Sequence, residues 1–125
     1  MSKYAHPDVL DGGLLAIKNG ATKLLLISAY TPGDSYATVV AAKLAEATMA
    51  ATDFTISSSG ANRQVTSATK SATLTAGTAA TTAHFAFTDG SAKVLWVTDE
   101  TSDQPLTSGN TVNFPALTYT SNQPT

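Results

Sequence analysis

The first twenty residues carry hydrophobic positions at helical spacing and predict an N-terminal α-helix. Pro7 suits the first helical position, and Asp8 and Asp11 suit the positive end of the helix dipole. Asn19 and Gly20 then predict the end of the helix. The hydrophobic positions expected near one face of this helix are Val9, Leu10, Leu14 and Ile17.

Two adjacent glycines, Gly12 and Gly13, interrupt the helical pattern. Each costs roughly 1 kcal/mol relative to alanine in a helix interior. The pair therefore indicates either that the helix begins later or that another backbone packs closely against it at this point.

In the middle of the chain, the hydrophobic pattern is no longer that of an amphipathic helix. Lys23–Ala29 is a short apolar run bounded by turn residues, which predicts a strand buried on both faces. A Pro-Gly pair marks the following loop, which Tyr30 and Tyr36 flank. The sequence does not decide the secondary structure of residues 37–50. Their alanine, leucine, lysine and glutamate favour a second short helix, whereas their β-branched residues favour a strand.

From Asp53 onward the pattern is typical of β structure. Thr- and Val-rich runs are separated by Gly, Asp, Asn and Ser clusters at intervals of about ten residues, as in a sandwich or small barrel. The predicted fold is mainly β, an antiparallel β-sandwich of jelly-roll or similar type with one short N-terminal helix. The length fits a single domain over residues 1–125, with residues 1–7 and 121–125 as candidate extended arms.

The stretch Thr82–Thr101 predicts a hairpin closed by a loop at residues 89–92. Strict alternation places apolar groups on both faces, so we expect a second layer on one face. Either a helix, such as residues 8–19, or a neighbouring subunit would cover the other face. Trp96 is expected in the core, with a ligand platform as the alternative. The expected opposite faces are Phe85 and Phe87 against His84, Ala86 and Thr88 in the first strand, and Leu95 and Val97 against Val94, Trp96 and Thr98 in the second.

Composition and charge argue against several kinds of partner. The net charge is −2 with only seven Lys and Arg residues, which are scattered, so we expect no nucleic-acid partner. The most apolar segment, Leu14–Ala29, is interrupted by polar residues and falls short of the about 20 apolar residues of a membrane span. Polar residues also stand where a signal peptide needs an apolar run, so we expect no membrane partner and no export.

The sequence contains few candidates for catalytic or metal-binding residues. His6 and His84 lie far apart without other ligands at a suitable spacing, so we expect no metal site. Asp99, Glu100 and Asp103 lack the pattern of a calcium loop and predict a solvated turn. No motif in the sequence identifies a nucleophile together with a general base and an acid that orients the base. We therefore expect neither an enzyme nor a cofactor.

Four residues are candidates for contact with a partner. Tyr4 and His6 lie in the N-terminal segment, and Tyr30 and Tyr36 flank the first long loop. Loop aromatics contribute disproportionately to protein interfaces. For the two loop tyrosines, packing of the loop onto its own domain is the alternative.

The chain contains, in this order, the segments LDGGLLAIKNGATKLLLISA, AAKLAEATM, TTAHFAFTDGSAKVLWVT and PLTSGNTVNFPALT. Together these segments resemble a group of small virion structural proteins of tailed bacteriophages, encoded among the capsid genes. The similarity covers most of the chain in the same order. Members often carry Cys in the strand written here as LLLIS, and a Trp-Asp pair in place of Ala116 and Leu117.

The resemblance implies a structural role in the virion and supplies no catalytic residues. A weakly acidic, charge-poor protein is ill suited to face packaged DNA, so an external position fits better. The leading hypothesis is a decoration, or cement, protein made in the host cytoplasm. It would bind the outer face of the major capsid protein shell as a homo-oligomer, through strand-edge addition and through Ser2–Pro7 or Asn122–Thr125 as an anchoring arm.

Two other functions remain as alternatives. One is a tail or head-to-tail component, including a module that binds host-surface glycan through Tyr30 and Tyr36. The other is a small hydrolase of unknown type. Copy number per particle separates the first alternative from a decoration protein, because decoration proteins occur in far more copies than tail components.

Overall fold

The computed structural model describes residues 3–75, 83–99 and 108–124. The helices are α1 (Pro7–Gly20) and α2 (Tyr36–Ala41), with a 3-10 turn at Ala51–Asp53. The strands are β1 (Lys23–Ile27), β2 (Lys43–Thr48), β3 (Phe54–Ser59), β4 (Asn62–Ser67), β5 (Lys70–Thr73), β6 (His84–Thr88), β7 (Val94–Asp99), β8 (Thr111–Phe114) and β9 (Thr118–Ser121).

The strands form three antiparallel sheets, with orders β2-β1-β6-β7, β3-β4-β9 and β5-β8. The arrangement is sandwich-like and not closed into a barrel, which confirms the predicted mainly β fold with its N-terminal helix. None of the helices in the described ranges is long and apolar enough to cross a membrane. Of the residues named in the sequence predictions, Ser2, Thr82, Glu100, Thr101, Asp103 and Thr125 lie outside the described residues.

Helix α1 begins at the predicted proline. His6 caps it, because its Nδ1 accepts a hydrogen bond from the Asp8 N–H at 3.1 Å. Leu10, Leu14 and Ile17 form the buried stripe. Val9 is 70% exposed, so its predicted place on this face is wrong. A helix turns by about 100° per residue, which carries Val9 away from the stripe on which Leu10 lies.

The two glycines of α1 lie at exposed positions of a regular helix. No atom lies within 4 Å of a Cβ built at Gly12 or Gly13. Because the helix already begins at Pro7, both explanations offered by the sequence, late initiation and close backbone packing, are wrong. The intrinsic cost of the pair is offset by packing along the buried stripe of α1.

The main core lies between the β2-β1-β6-β7 sheet and the β3-β4-β9 sheet, with α1 and β8 contributing side chains. Ring contacts connect the layers: Phe87 lies 5.7 Å from Phe54, and Phe85 lies 5.6 Å from Phe114. Trp96 is half-buried at the margin of this core and stacks on Phe87 at 4.8 Å. Its predicted packing with the core is therefore confirmed.

The second face of the large sheet is covered by α2. Leu25, Ile27 and Ala86 form a separate buried cluster with Val39 of this short helix. The prediction that the hairpin is apolar on both faces is confirmed, but α1, offered as the cover, lies on the other side among the β3-β4-β9 strands and β7. The helix assigned to this face by sequence was therefore the wrong one.

Residues 37–50 combine both structures that their sequence left open. Ser35 caps α2 by accepting a hydrogen bond from the Thr38 N–H at 3.2 Å. The helix ends at Ala41, and β2 follows at once because Lys43–Thr48 pairs antiparallel with β1. Strand pairing thus overrides the helix propensity of the second half.

Strict alternation fails in β7 because the strand contains a β-bulge. Phe87 pairs with Trp96 while Thr88 pairs with Val94, so Leu95 is the extra residue. As a result Leu95 and Trp96 both pack against the main core, whereas Val94 and Val97 pack against the α2 cluster. The predicted faces of this strand were therefore wrong.

The loop between β6 and β7 is organised by one carboxylate. Asp89 Oδ1 accepts hydrogen bonds from the N–H groups of Ala92, Lys93 and Ser91 at 2.8, 2.9 and 2.9 Å. These bonds favour the ionised form and lower the pKa of Asp89 to about 2. Gly90 beside it has a φ of 81°, which favours glycine. The predicted loop at residues 89–92 is confirmed.

Two glycine variants test opposite constraints. We expect Gly12→Ala to raise the free energy of unfolding by about 0.5–1 kcal/mol, because alanine favours the helix and the position has room. We expect Gly90→Ala to lower it by about 1–3 kcal/mol, because a Cβ there would lie 2.7 Å from Thr22 Oγ1 at a positive φ. Urea denaturation followed by Trp96 fluorescence measures both, and changes of the same sign would contradict this account.

The hairpin loop predicts a pH dependence of stability. The pKa of Asp89 is lowered from 3.8 to about 2 on folding, so the carboxylate stabilises the fold fully at pH values above about 4. This contribution is lost as the pH falls from about 4 to about 2. We therefore expect Asp89→Asn to be less stable than the unaltered protein at neutral pH. The difference should shrink across that acidic window in urea titrations, and a difference that stays constant with pH would refute the assignment.

Candidate interaction surface

Four large hydrophobic side chains are exposed in the described residues. Tyr4 is 72% exposed, Val9 70%, Leu15 43% and Tyr119 42%. They lie on the N-terminal segment, on α1 and on β9, and α1 packs beside β9. Exposed apolar side chains on neighbouring elements make this part of the molecule a candidate interaction site. We call residues 3–6, the exposed face of α1, β9 and Gln123 the terminal surface.

Gln123 joins the two ends of the described chain. Its Oε1 accepts a hydrogen bond from the Ala5 N–H at 2.8 Å, and its Nε2 donates to the Ala5 carbonyl at 3.0 Å. The same Nε2 donates to the Ala61 carbonyl at 3.0 Å, and the Gln123 N–H donates to Asn62 Oδ1 at 2.8 Å. The described parts of the two predicted arms are thus fastened to each other and to the β3–β4 turn.

An ion pair fixes α1 on the sheet below it. Arg63 of β4 donates from Nε and one terminal nitrogen to the two carboxylate oxygens of Asp11, at 2.8 and 3.2 Å. Its other terminal nitrogen donates to Ser58 Oγ at 2.8 Å. The hydrogen bond to Asp11 raises the pKa of Arg63 above its ordinary value. Both side chains are mostly buried, so this two-bond contact sets the position of α1.

An open groove of about 500 Å³ runs between the N-terminal segment and the β3–β4 turn. Its walls carry one aromatic ring, two side-chain amides, a hydroxyl and two cationic side chains. Such a groove can accept polar groups of a partner beside an apolar contact. The side chains in question are Tyr4, Asn62, Gln123, Ser58, Lys3 and Arg63.

The outer face of α1 between residues 9 and 16 carries mostly small side chains and little charge. Val9, Gly12, Gly13 and Ala16 are exposed along it, and Leu15 lies at its margin. Small side chains let the backbone of a partner approach closely, so shape rather than charge would select what binds here.

The structure brings together two of the four candidate contact residues. Tyr4 and His6 both lie on the terminal surface, where His6 also caps α1. Tyr30 is half-buried against the α2 cluster, with its ring 6.4 Å from that of His84, so it packs onto its own domain. Tyr36 is the half-buried first residue of α2 and lines a small cavity near Lys23. The four residues therefore do not form one site.

Sequence reasoning missed the residues that build the terminal surface. Gln123 binds a segment 118 positions away, and Arg63 binds Asp11 across 52 positions, so no local pattern marks either contact. Val9 could have been found, because its helical angle differs from that of the buried stripe. Tyr119 alternates with threonines in a pattern that predicts a strand but not its place at a sheet edge.

No metal-binding cluster occurs among the residues that the structure describes. No three His, Asp or Glu side chains in those ranges are grouped so that they could hold an ion. His6 and His84 lie in different parts of the fold, His6 before α1 and His84 in β6.

Comparison with known proteins found no match: no protein-family model, no curated protein and no solved structure matches the chain.

Replacing Gln123 tests whether this side chain holds the terminal surface together. We expect Gln123→Ala to accelerate hydrogen exchange of the Ala5 amide and to lower the free energy of unfolding by about 1–3 kcal/mol, because polar backbone groups lose their partners. Gln64→Ala is the matched control, since Gln64 makes one long bond to Ser57 at 3.4 Å. Unchanged exchange at Ala5 in the Gln123 variant would show that the contact does not order this segment.

Proposed function

We propose that this protein is a bacteriophage virion structural protein, a decoration protein that binds the outer face of the major capsid protein shell. In this proposal it is not an enzyme, carries no cofactor and associates with further copies of itself. The resemblance of four sequence segments to virion structural proteins supports the class of function. The terminal surface supports the mode of action, which is contact between proteins.

The observation that carries the proposal is the exposure of large apolar side chains on neighbouring elements. Tyr4, Val9 and Leu15 lie on two consecutive elements, the N-terminal segment and α1. These elements are anchored by Gln123 and by the Asp11–Arg63 pair, so the surface is held in position before a partner arrives. A pre-positioned surface loses less conformational entropy on binding.

Charge on the outer face of α1 between residues 9 and 16 is low, which suits attachment to a shell. The Asp11 carboxylate is neutralised by Arg63, and the outer face of α1 between residues 9 and 16 carries no other ionisable side chain. Binding through apolar contact and shape depends weakly on ionic strength, unlike binding through surface ion pairs. A decoration protein of this kind would stay attached when the salt concentration changes.

The proposed attachment is strong because the binding site is repeated over the shell. A capsid presents the same site many times, and an oligomer of this protein would engage several sites at once. After the first contact, each further contact is effectively intramolecular, so modest interfaces add to durable binding. Weak binding to isolated capsid subunits together with tight binding to assembled shells is the result that this mechanism requires.

Binding to assembled shells tests the proposal. We expect the purified protein to saturate intact shells at a copy number on the scale of the capsid subunits, because its site repeats with them. Val9→Glu should weaken this binding by about tenfold or more, because it places a charge at the centre of an apolar contact. The measurement is co-sedimentation with shells over a range of protein concentrations.

Ala37→Glu provides the matched control for that variant. Val9 and Ala37 are both exposed, each in the first turn of its helix, where an added acid is tolerated by the helix dipole. We expect Ala37→Glu to bind shells like the unaltered protein. Absence of binding to shells would overturn the proposal, and binding to isolated tails or to host-surface glycan would favour the tail alternative in its place.

A further inference from the structure

Strand β9 is an edge strand whose outer side is open within the described part of the chain. In the β3-β4-β9 sheet, β9 pairs with β4 alone, from Thr118 opposite Thr66 to Ser121 opposite Arg63. An edge strand presents backbone N–H and C=O groups that can pair with another strand. The backbone groups that face the open edge determine which strand can pair with β9.

The register identifies the outward-facing groups. The Ser67 N–H donates to the Leu117 carbonyl at 2.9 Å, just before β9 begins. Hydrogen-bonded positions alternate along an antiparallel pair, so Tyr119 and Ser121 also bond to β4. The backbone groups of Thr118 and Thr120 therefore point away from β4 toward the open edge.

The edge strands β2 and β7 of the four-stranded sheet carry features that hinder pairing, whereas β9 does not. On β3, the opposite edge of the β3-β4-β9 sheet, Lys18 Nζ donates a hydrogen bond to the Phe54 carbonyl at 2.7 Å. Strand β2 has charged Lys43 and Glu46, a register irregularity, and a hydrogen bond from Thr75 to Leu44. Strand β7 contains the bulge at Leu95. Charges and bulges at edges are how proteins prevent pairing with other chains. Strand β9, with the sequence TYTS, has no charge, no proline and a regular register.

We propose that two copies of this protein pair through β9 as antiparallel strands, related by a twofold axis at Tyr119. The two three-stranded sheets then form one continuous sheet. In this register, Thr118 lies opposite the partner's Thr120, and each such pair exchanges both of its backbone hydrogen bonds. Tyr119 lies opposite the partner's Tyr119 as a non-hydrogen-bonded pair.

The side chains of β9 suit a second copy of the same strand. Because the strand is uncharged, self-pairing brings no like charges together. The Tyr119 ring is 42% exposed and is held by an edge contact with Trp96 at 5.5 Å. Paired aromatic side chains stabilise antiparallel strands at non-hydrogen-bonded positions. On the other face, Thr118 and Thr66 hydroxyls lie 3.1 Å apart, and pairing extends this row of hydroxyls.

This dimer deepens the self-association part of the proposed function and concerns a different part of the terminal surface from α1. The axis at Tyr119 gives the dimer two α1 faces, one from each copy, so a dimer could engage two shell sites. The test below is made in solution without shells. Failure of the dimer and failure of shell binding are therefore separate results.

The absence of cysteine from the chain makes cross-linking a direct test. We expect Tyr119→Cys to form a disulfide-linked dimer under mild oxidation, because the paired Cα atoms lie about 4.5 Å apart at a non-hydrogen-bonded position. Thr120→Cys is the matched control, since this residue faces the partner's Thr118 and lies more than about 7 Å from its own counterpart. Equal cross-linking of both variants, or of neither, would overturn the proposed register.

A charge on the edge tests the dimer without new covalent bonds. We expect the unaltered protein to dimerise in sedimentation equilibrium, and Thr120→Lys to raise the dimer Kd by about tenfold or more, since lysine at an edge opposes pairing. Thr55→Lys is the control. It changes the same residue type on the opposite edge strand of the same sheet, at an exposed position. A monomer at every concentration, or an unchanged Kd in Thr120→Lys, would refute the dimer.

Discussion

The pairing of β1 with β6 is the constraint on which the rest of the fold depends. Both strands are apolar on both faces, so neither face can be left to water. One face is covered by the β3-β4-β9 sheet, α1 and β8, and the other by α2. Burial of this central pair explains why a chain with 13% charged residues folds into layers on both sides of one sheet. The side chains at the centre are Leu24, Leu26, Phe85 and Phe87 on one face, and Leu25, Ile27 and Ala86 on the other.

The sequence predicted those features that short-range chemistry determines. Proline and acidic residues marked the start of α1, and Asp89 and Gly90 marked a hairpin loop, because capping and turn conformation depend on a few neighbouring residues. The apolar residues of the hairpin also predicted that both of its faces are buried. A bulge is set by how a strand fits its neighbours, so Leu95 broke an alternation that the sequence alone could not correct.

The terminal surface could be predicted only in part. Tyr4 and His6 were identified from the N-terminal segment, but their neighbours come from distant parts of the chain through Gln123 and Arg63. Hydrogen bonds over such separations leave no periodic signal. Aromatic residues in a loop did not suffice as a guide, because Tyr30 packs onto the α2 cluster of its own domain. Exposure, rather than residue type, distinguishes the contact candidates, and exposure requires the three-dimensional fold.

The exposed glycine pair of α1 has a thermodynamic consequence for any partner that contacts this helix. Gly12 and Gly13 lower the intrinsic stability of α1, so the ordered helix depends on packing along its buried stripe. A partner that covers the outer face binds only the ordered helix, and by linkage it shifts the equilibrium toward the folded protein. If the proposed decoration role holds, the shell would therefore stabilise the fold of the protein bound to it.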